Sequence, residues 1–188
     1  MKKYEFTGET ITDNGKVLHR IRAVRNFNGV KKGQLGGYVE SEDNLSHDGE
    51  AWVGENARVY GNAWVGENAR VYGNAVVCDN AKVFRNAQVF GNARISRNSW
   101  VHGSAWVGGN TEVHGTWIFG DARIYSNKDL EKKERRDATR IEQRIRRGSV
   151  CGAPIRRTQA KQRGSRKNHK QNTCEVSMPD TAESAVDI

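Results

Sequence analysis

The chain has 188 residues, 36% of them hydrophobic, and a formal charge of +9. That length holds one modest domain plus a tail. Three cysteines (Cys78, Cys151, Cys174) without CxxC or metal-ligand spacing argue against a disulfide framework, and the absence of a long apolar run or leader-like segment predicts a cytoplasmic protein with no membrane span. The basicity is local: residues 1–127 carry 15 Lys/Arg against 13 Asp/Glu, residues 128–170 carry 16 against 5, and residues 171–188 carry none against 4.

Residues 1–50 read as an N-terminal cap. Lys3–Gly8 and Val17–Phe27 alternate apolar and polar side chains around Asp13-Asn14-Gly15, a tight-turn sequence, and so predict a hairpin. Gly33, Gly36 and Gly37 around Leu35 predict a sharp backbone turn toward the segment that starts at Ala51, with His47 helping to seal the junction.

From Ala51 to Thr116 the chain is eleven uninterrupted hexads: AWVGEN, ARVYGN, AWVGEN, ARVYGN, AVVCDN, AKVFRN, AQVFGN, ARISRN, SWVHGS, AWVGGN, TEVHGT. The third place is always Val or Ile, the first is Ala, Ser or Thr, and the sixth is Asn, Ser or Thr. One hydrophobe every six residues fits neither a helix nor an alternating strand. It fits a short β-branched strand with a corner after it where Asn or Gly adopts the left-handed conformation, the Val and the small residue pointing inward. After Thr116 the unit Trp117–Asp121 is one residue short, and the pattern resumes over 122–127.

These hexads resemble the hexapeptide-repeat family, in which an aliphatic residue is followed four places later by a small one. The resemblance implies an all-β fold: a left-handed parallel β-helix, a triangular solenoid with three hexads per coil, spanning 51–127. Residues 27–57 are further similar to hexapeptide-repeat proteins of enteric bacteria and their prophages that carry no assigned activity. Stacking at eighteen residues then predicts interior columns such as Val53, Val71, Val89 and Val107, and Asn ladders such as Asn56, Asn74, Asn92 and Asn110. Residues 128–147 predict a short basic helix with a stripe of Leu130, Ala138, Ile141 and Ile145. Residues 148–188 predict a disordered basic tail, because they hold few large apolar side chains and no aromatic.

Two functional readings are open. The resemblance implies an acyl-CoA-dependent acyltransferase, typically trimeric, with His102 or His114 as general base. Against it stand the missing cleft-forming loop and the identical copies AWVGENARVYGN at 51–62 and 63–74. Such a copy keeps each Val inside but turns everything downstream onto another face, which a scaffold tolerates better than a cleft does. The preferred reading is therefore a structural or binding module, bacterial or prophage-encoded, without a catalytic site or cofactor. The resemblance also raises zinc sites built on histidines, but His102 and His114 fall on different faces, so no metal is expected. Outward Trp52, Arg58, Trp64, Arg70, Tyr72, Phe90, Arg94, Trp100 and Trp106 are the candidate surface for a homo-oligomer contact, or for a glycan or protein ligand. The basic tail offers at most non-specific, salt-sensitive nucleic-acid binding.

Overall fold

A computed structural model of the chain describes residues 2–146, with side chains to 143. The expectations for Ile145, Cys151, Cys174 and the tail at 148–188 lie outside the described residues. The expected hairpin pairs β1 (Tyr4–Asp13) with β2 (Lys16–Ala23), antiparallel. Asn14 and Gly15 form its turn with φ of 49° and 77°, the conformation that an Asn-Gly hairpin turn favours. β2 pairs antiparallel with β3 (Leu35–Val39), and β3 then pairs in parallel with the first solenoid strand on its face. The cap and the solenoid are thereby one continuous sheet.

The rest is a parallel β-solenoid with three sheets, one per side. The seven-stranded side continues from β3 through β5 (Arg58–Val59), β8 (Val76–Val77), β11 (Arg94–Ser96) and β14 (Glu112–His114). The five-stranded side runs β4 (Trp52–Val53), β7 (Arg70–Val71), β10 (Gln88–Val89), β13 (Trp106–Val107) and β16 (Arg123–Ile124). The four-stranded side is β6 (Trp64–Val65), β9 (Lys82–Val83), β12 (Trp100–Val101) and β15 (Trp117–Ile118). Partners such as Val53 and Val71, or Val59 and Val77, stand eighteen residues apart, as the hexads require. Every hexad Val or Ile and every Ala at the first place is buried. The cap supplies what lies beneath the first coil: Val39 pairs with Val59, and Leu45 bridges to Val65.

Corner chemistry differs from the expectation in one respect. The left-handed residue is the fifth of the hexad, not the Asn at the sixth. Glu55, Glu67, Asp79, Arg85 and Arg97 hold φ between 55° and 61° there, alternating with glycines such as Gly61 and Gly73. Some carboxylates at this strained place have a second task. Glu55 accepts a hydrogen bond from the Gly73 N–H at 2.9 Å, and Asp79 accepts one from the Arg97 N–H at 2.9 Å, each satisfying the corner of the next coil. Glu40 of the cap does the same for Gly61 at 2.6 Å. The Asn residues instead form the expected ladders, Asn62 to Asn80 to Asn98 and Asn74 to Asn92 to Asn110, with steps of 2.9–3.2 Å.

The irregularity near Thr116 also has a local cause. β12 and β15 pair Val101 with Ile118, seventeen residues on, so one residue is lost at the corner and Ile118 stays inside. Ser99 lies directly below, fully buried where other hexads carry Ala. Its hydroxyl donates to the Ser96 carbonyl at 2.7 Å and accepts from the Thr116 N–H at 3.4 Å. Thr111 makes the equivalent bond to the Gly108 carbonyl at 2.8 Å, so a first-place hydroxyl satisfies itself on the preceding corner.

The predicted helix is present as α1 (Asn127–Arg146). Ser126 caps it: its hydroxyl accepts from the Asp129 N–H at 3.3 Å and donates to the Asp129 carboxylate at 2.9 Å. Leu130 is buried against the end of the solenoid, and Ile141 is 59% exposed.

One buried group in the cap is costly. The Lys3 side chain is fully buried, its Nζ has no hydrogen-bond partner, and it lies 5.7 Å from the Phe27 ring centre. Burial, with nearby Arg25, lowers its pKa to about 8. Below about pH 8 both folded and unfolded chains carry the Lys3 charge, so the full burial cost is present. Between pH 8 and the ordinary lysine value of 10.5 the unfolded chain holds the extra proton, and stability rises with pH. Lys3→Met is therefore expected to stabilise the protein at pH 7 by about 1–3 kcal/mol. Urea unfolding at pH 7 and pH 10 should show that gain shrinking at the higher pH.

Candidate functional site

Each side of the prism presents two outward columns, from the second and fourth places of its hexads. On the seven-stranded side the cap covers much of them. Leu18, Tyr38, Tyr60 and Cys78 form a buried cluster under the hairpin, and Asn14 Nδ2 donates to the Tyr60 hydroxyl at 2.8 Å. Burial pushes the Cys78 thiol pKa up, so it stays protonated and unreactive near neutrality. Arg58 is held by Asp13 at 3.0 Å, and Arg94 reaches Tyr60 at 3.5 Å. Higher in the column, Ser96 and His114 Nδ1 share a hydrogen bond of 2.6 Å, and His114 Nε2 stands 3.5 Å from Glu112. Both ring nitrogens of His114 thus face groups of this chain, and Ser96 is buried. Sequence reasoning missed this pair, although the eighteen-residue step from Tyr60 to Cys78 leads directly to Ser96 and His114.

On the four-stranded side the aromatic rings stack along the axis. Trp100 and Trp117 lie 5.0 Å apart at 8°, with Lys82 Nζ 5.4 Å over Trp100. Phe84 lies 4.9 Å from the His102 ring, and Phe119 lies 5.9 Å from it on the next coil. Trp64 is tilted at 6.3 Å from Phe84. His102 is outward in register but sandwiched in fact. Its Nδ1 is buried without a partner, and burial, with Arg85 nearby, lowers its pKa. It holds its neutral form in a hydrophobic stack, with no carboxylate orienting it as a general base requires. The structure does not bring His102 and His114 together: their strands belong to different sheets.

On the five-stranded side Tyr72 and Phe90 stack at 5.3 Å and 8°, Trp106 meets Phe90 edge-on at 6.3 Å, and Arg123 lies 5.2 Å over Trp106. Trp52 corrects the expectation of a surface residue. It is 7% exposed, packed edge-on against Phe27 at 5.5 Å, because the loop after β2 folds over the first coil. Arg70 fastens that loop by donating to the Asn28 carbonyl. Of the nine candidates, Trp52, Arg58 and Arg70 therefore secure the cap, Arg94 reaches Tyr60 of the cluster under the hairpin, and Trp64, Tyr72, Phe90, Trp100 and Trp106 form ring stacks.

The stacks explain a further sequence feature, the Trp-Val-Gly of three hexads. A Cβ on Gly66 would lie 2.2 Å from the Trp64 ring, and one on Gly108 would lie 2.4 Å from the Phe90 ring. Neither glycine has positive φ, so each is glycine to admit a ring lying flat over the backbone. Gly54 is looser: its Cβ would stand 3.4 Å from Trp52.

At the C-terminal end the stacks stop and α1 crosses the last coil. Lys133 Nζ donates to the Trp117 carbonyl at 2.9 Å, and the Thr116 hydroxyl donates to Glu134 at 3.0 Å. Between the last coil and α1 lies a groove of about 900 Å³. Trp117, Phe119 and Ile141 line it at 56%, 48% and 59% exposure. Lys133 and Arg140 flank it together with Glu134 and Asp137.

Among the described residues no group of three His, Cys, Asp or Glu side chains is placed to hold a metal. No described helix is long and apolar enough to cross a membrane. A family model described as the YdcK beta solenoid repeat matches residues 87–103, about one coil through β10, β11 and β12. Comparison with curated proteins gives no match. The matched repeat agrees with the architecture, and the chain is a β-solenoid repeat module.

Proposed function

We propose that the chain is a structural and binding module that self-associates through the C-terminal end of its solenoid and has no catalytic site of its own. The observation that carries this reading is the groove at that end. Its three large apolar side chains are about half exposed or more, on a protein whose other large hydrophobes are mostly buried. Arg140 and Glu134 leave charges of both signs beside it, Lys133 and Asp137 being paired with each other at 2.6 Å, so the patch can complement a second copy of itself. The burial of Ser96, the hydroxyl that His114 engages, and the sandwiched ring of His102 support the non-catalytic part.

Sedimentation of the parent chain and of Trp117→Ser/Phe119→Ser tests it. Burying each ring fully is worth about 1.5–3 kcal/mol, so the double variant should self-associate about a hundredfold more weakly, or more so, while remaining folded with a melting temperature lowered by the loss of the Trp117–Trp100 and Phe119–His102 stacks. A monomeric parent, or a variant with unchanged mass, contradicts the reading.

A further inference from the structure

A second concave site lies at the opposite end, on the five-stranded side, between the Asn28–Leu35 loop and the first two coils, with a volume of about 740 Å³. We propose that it binds a neutral sugar ring. The first argument is the interrupted ring stack. Tyr72 stacks on Phe90 above it, and eighteen residues below Tyr72 the column holds Gly54, which has no side chain. Tyr72 thus has one ring face covered by aromatic neighbours and the other turned toward a gap of one coil. A flat ligand with an apolar face continues the stack at the spacing that the solenoid already sets.

The second argument is the polar lining. Beyond the hydrogen bonds they make within the chain (Lys31 N–H to Gln34 Oε1, Asn68 Nδ2 to Asn86 Oδ1, the Tyr72 hydroxyl to Gln88 Oε1), Gln34, Asn86 and Gln88 keep amide N–H donors and Asn68 keeps its amide oxygen, the mixture that adjacent hydroxyls need. Trp52 Nε1–H at the floor is buried without an acceptor.

Charge decides between ligand classes. The lining holds Glu50 and Glu55 against Arg70 alone, and Arg70 is already bound to the Asn28 carbonyl. Phosphate-bearing ligands therefore meet a net negative wall, and an uncharged polyol does not. This inference rests on the reading of the chain as a binding module, but on a site remote in sequence from Trp117 and Phe119, so the two fail separately.

The test is titration of the full chain, monitored by intrinsic tryptophan fluorescence and calorimetry, with maltotriose, cellotriose and chitotriose, and with adenine as the non-sugar ring. The expected result is saturable binding of at least one trisaccharide. That binding should weaken at least tenfold in Tyr72→Ala and in Gly54→Val, the second filling the gap. Both variants should stay folded at the titration temperature, Tyr72→Ala melting below the parent because it loses its stack on Phe90 and its hydrogen bond to Gln88; Gly54→Ala, whose added methyl meets only ordinary contacts, serves if Gly54→Val unfolds. Trp117→Ser/Phe119→Ser should bind sugar normally. Failure of all three sugars to bind the folded parent, tighter binding of adenine than of any sugar, or binding unaffected in both Tyr72→Ala and the Gly54 variant overturns the proposal.

Discussion

Gly37→Ala is expected to destabilise the protein by about 3 kcal/mol or more, beyond the usual range for an added core methylene. The reason is position, not φ. Gly37 sits in β3, where the antiparallel cap becomes the first layer of the parallel solenoid. A Cβ there would lie 2.4 Å from the Ala57 carbonyl oxygen and 2.9 Å from Val53 Cγ1. Backbone on the far side cannot yield without breaking the hydrogen bond from the Tyr38 N–H to that same carbonyl, now 2.8 Å. Urea unfolding should show a lower midpoint with an unchanged slope if the change acts on stability alone. Gly54→Ala is the control, with ordinary contacts only and an expected cost below about 1 kcal/mol.

Val89→Asp is expected to abolish folding. Val89 is fully buried at the centre of the five-stranded side, paired with Val71 below and Val107 above. A carboxylate there meets only the Val and Ala columns, with no cation in the interior, and a buried unpaired charge costs more than about 4–5 kcal/mol. Val89→Ala should cost about 1–3 kcal/mol by leaving a cavity. Asn92→Ala, on an exposed ladder outside the interior, should cost about 0.5–1.5 kcal/mol. Circular dichroism and thermal melting of the three variants check the order Asp, Ala, then Asn92→Ala.

That order shows which parts of the molecule the sequence makes readable. The interior is legible because its constraint repeats: each coil admits one Val or Ile and one small residue per side, so the columns follow from spacing. The Asn ladders follow from the same step, and the helix at Asn127–Arg146 follows from its composition. The left-handed fifth place is obscured because the residues there are chemically mixed. Glu55 and Asp79 occupy it partly for the backbone N–H they satisfy one coil away. Trp52 misleads because its hexad is identical to that of Trp64; only the cap, which folds back from far along the chain, makes one buried and the other partly exposed. The Asp13–Arg58 and Asn14–Tyr60 contacts are likewise long-range pairs with no periodic signature. His102 and His114 look alike in sequence, each coming directly after a hexad Val. One is set between Phe84 and Phe119 and the other between Ser96 and Glu112, differences set by the neighbouring coils.

We propose that the solenoid is a spacer between two ends, the groove by the cap proposed for a sugar and the apolar groove under α1 proposed for self-association. Deleting residues 93–110, one complete coil, tests that claim most directly. The deletion removes Ser96, Ser99, Trp100, His102 and Trp106 but preserves every interior column and the residues that line both grooves, Ala81 and Lys82 taking the places of Ser99 and Trp100 beneath Thr116 and Trp117. Sedimentation of this variant should show a folded chain that assembles with the same number of copies as the parent. An unfolded chain, or a folded monomer from an oligomeric parent, would contradict the account.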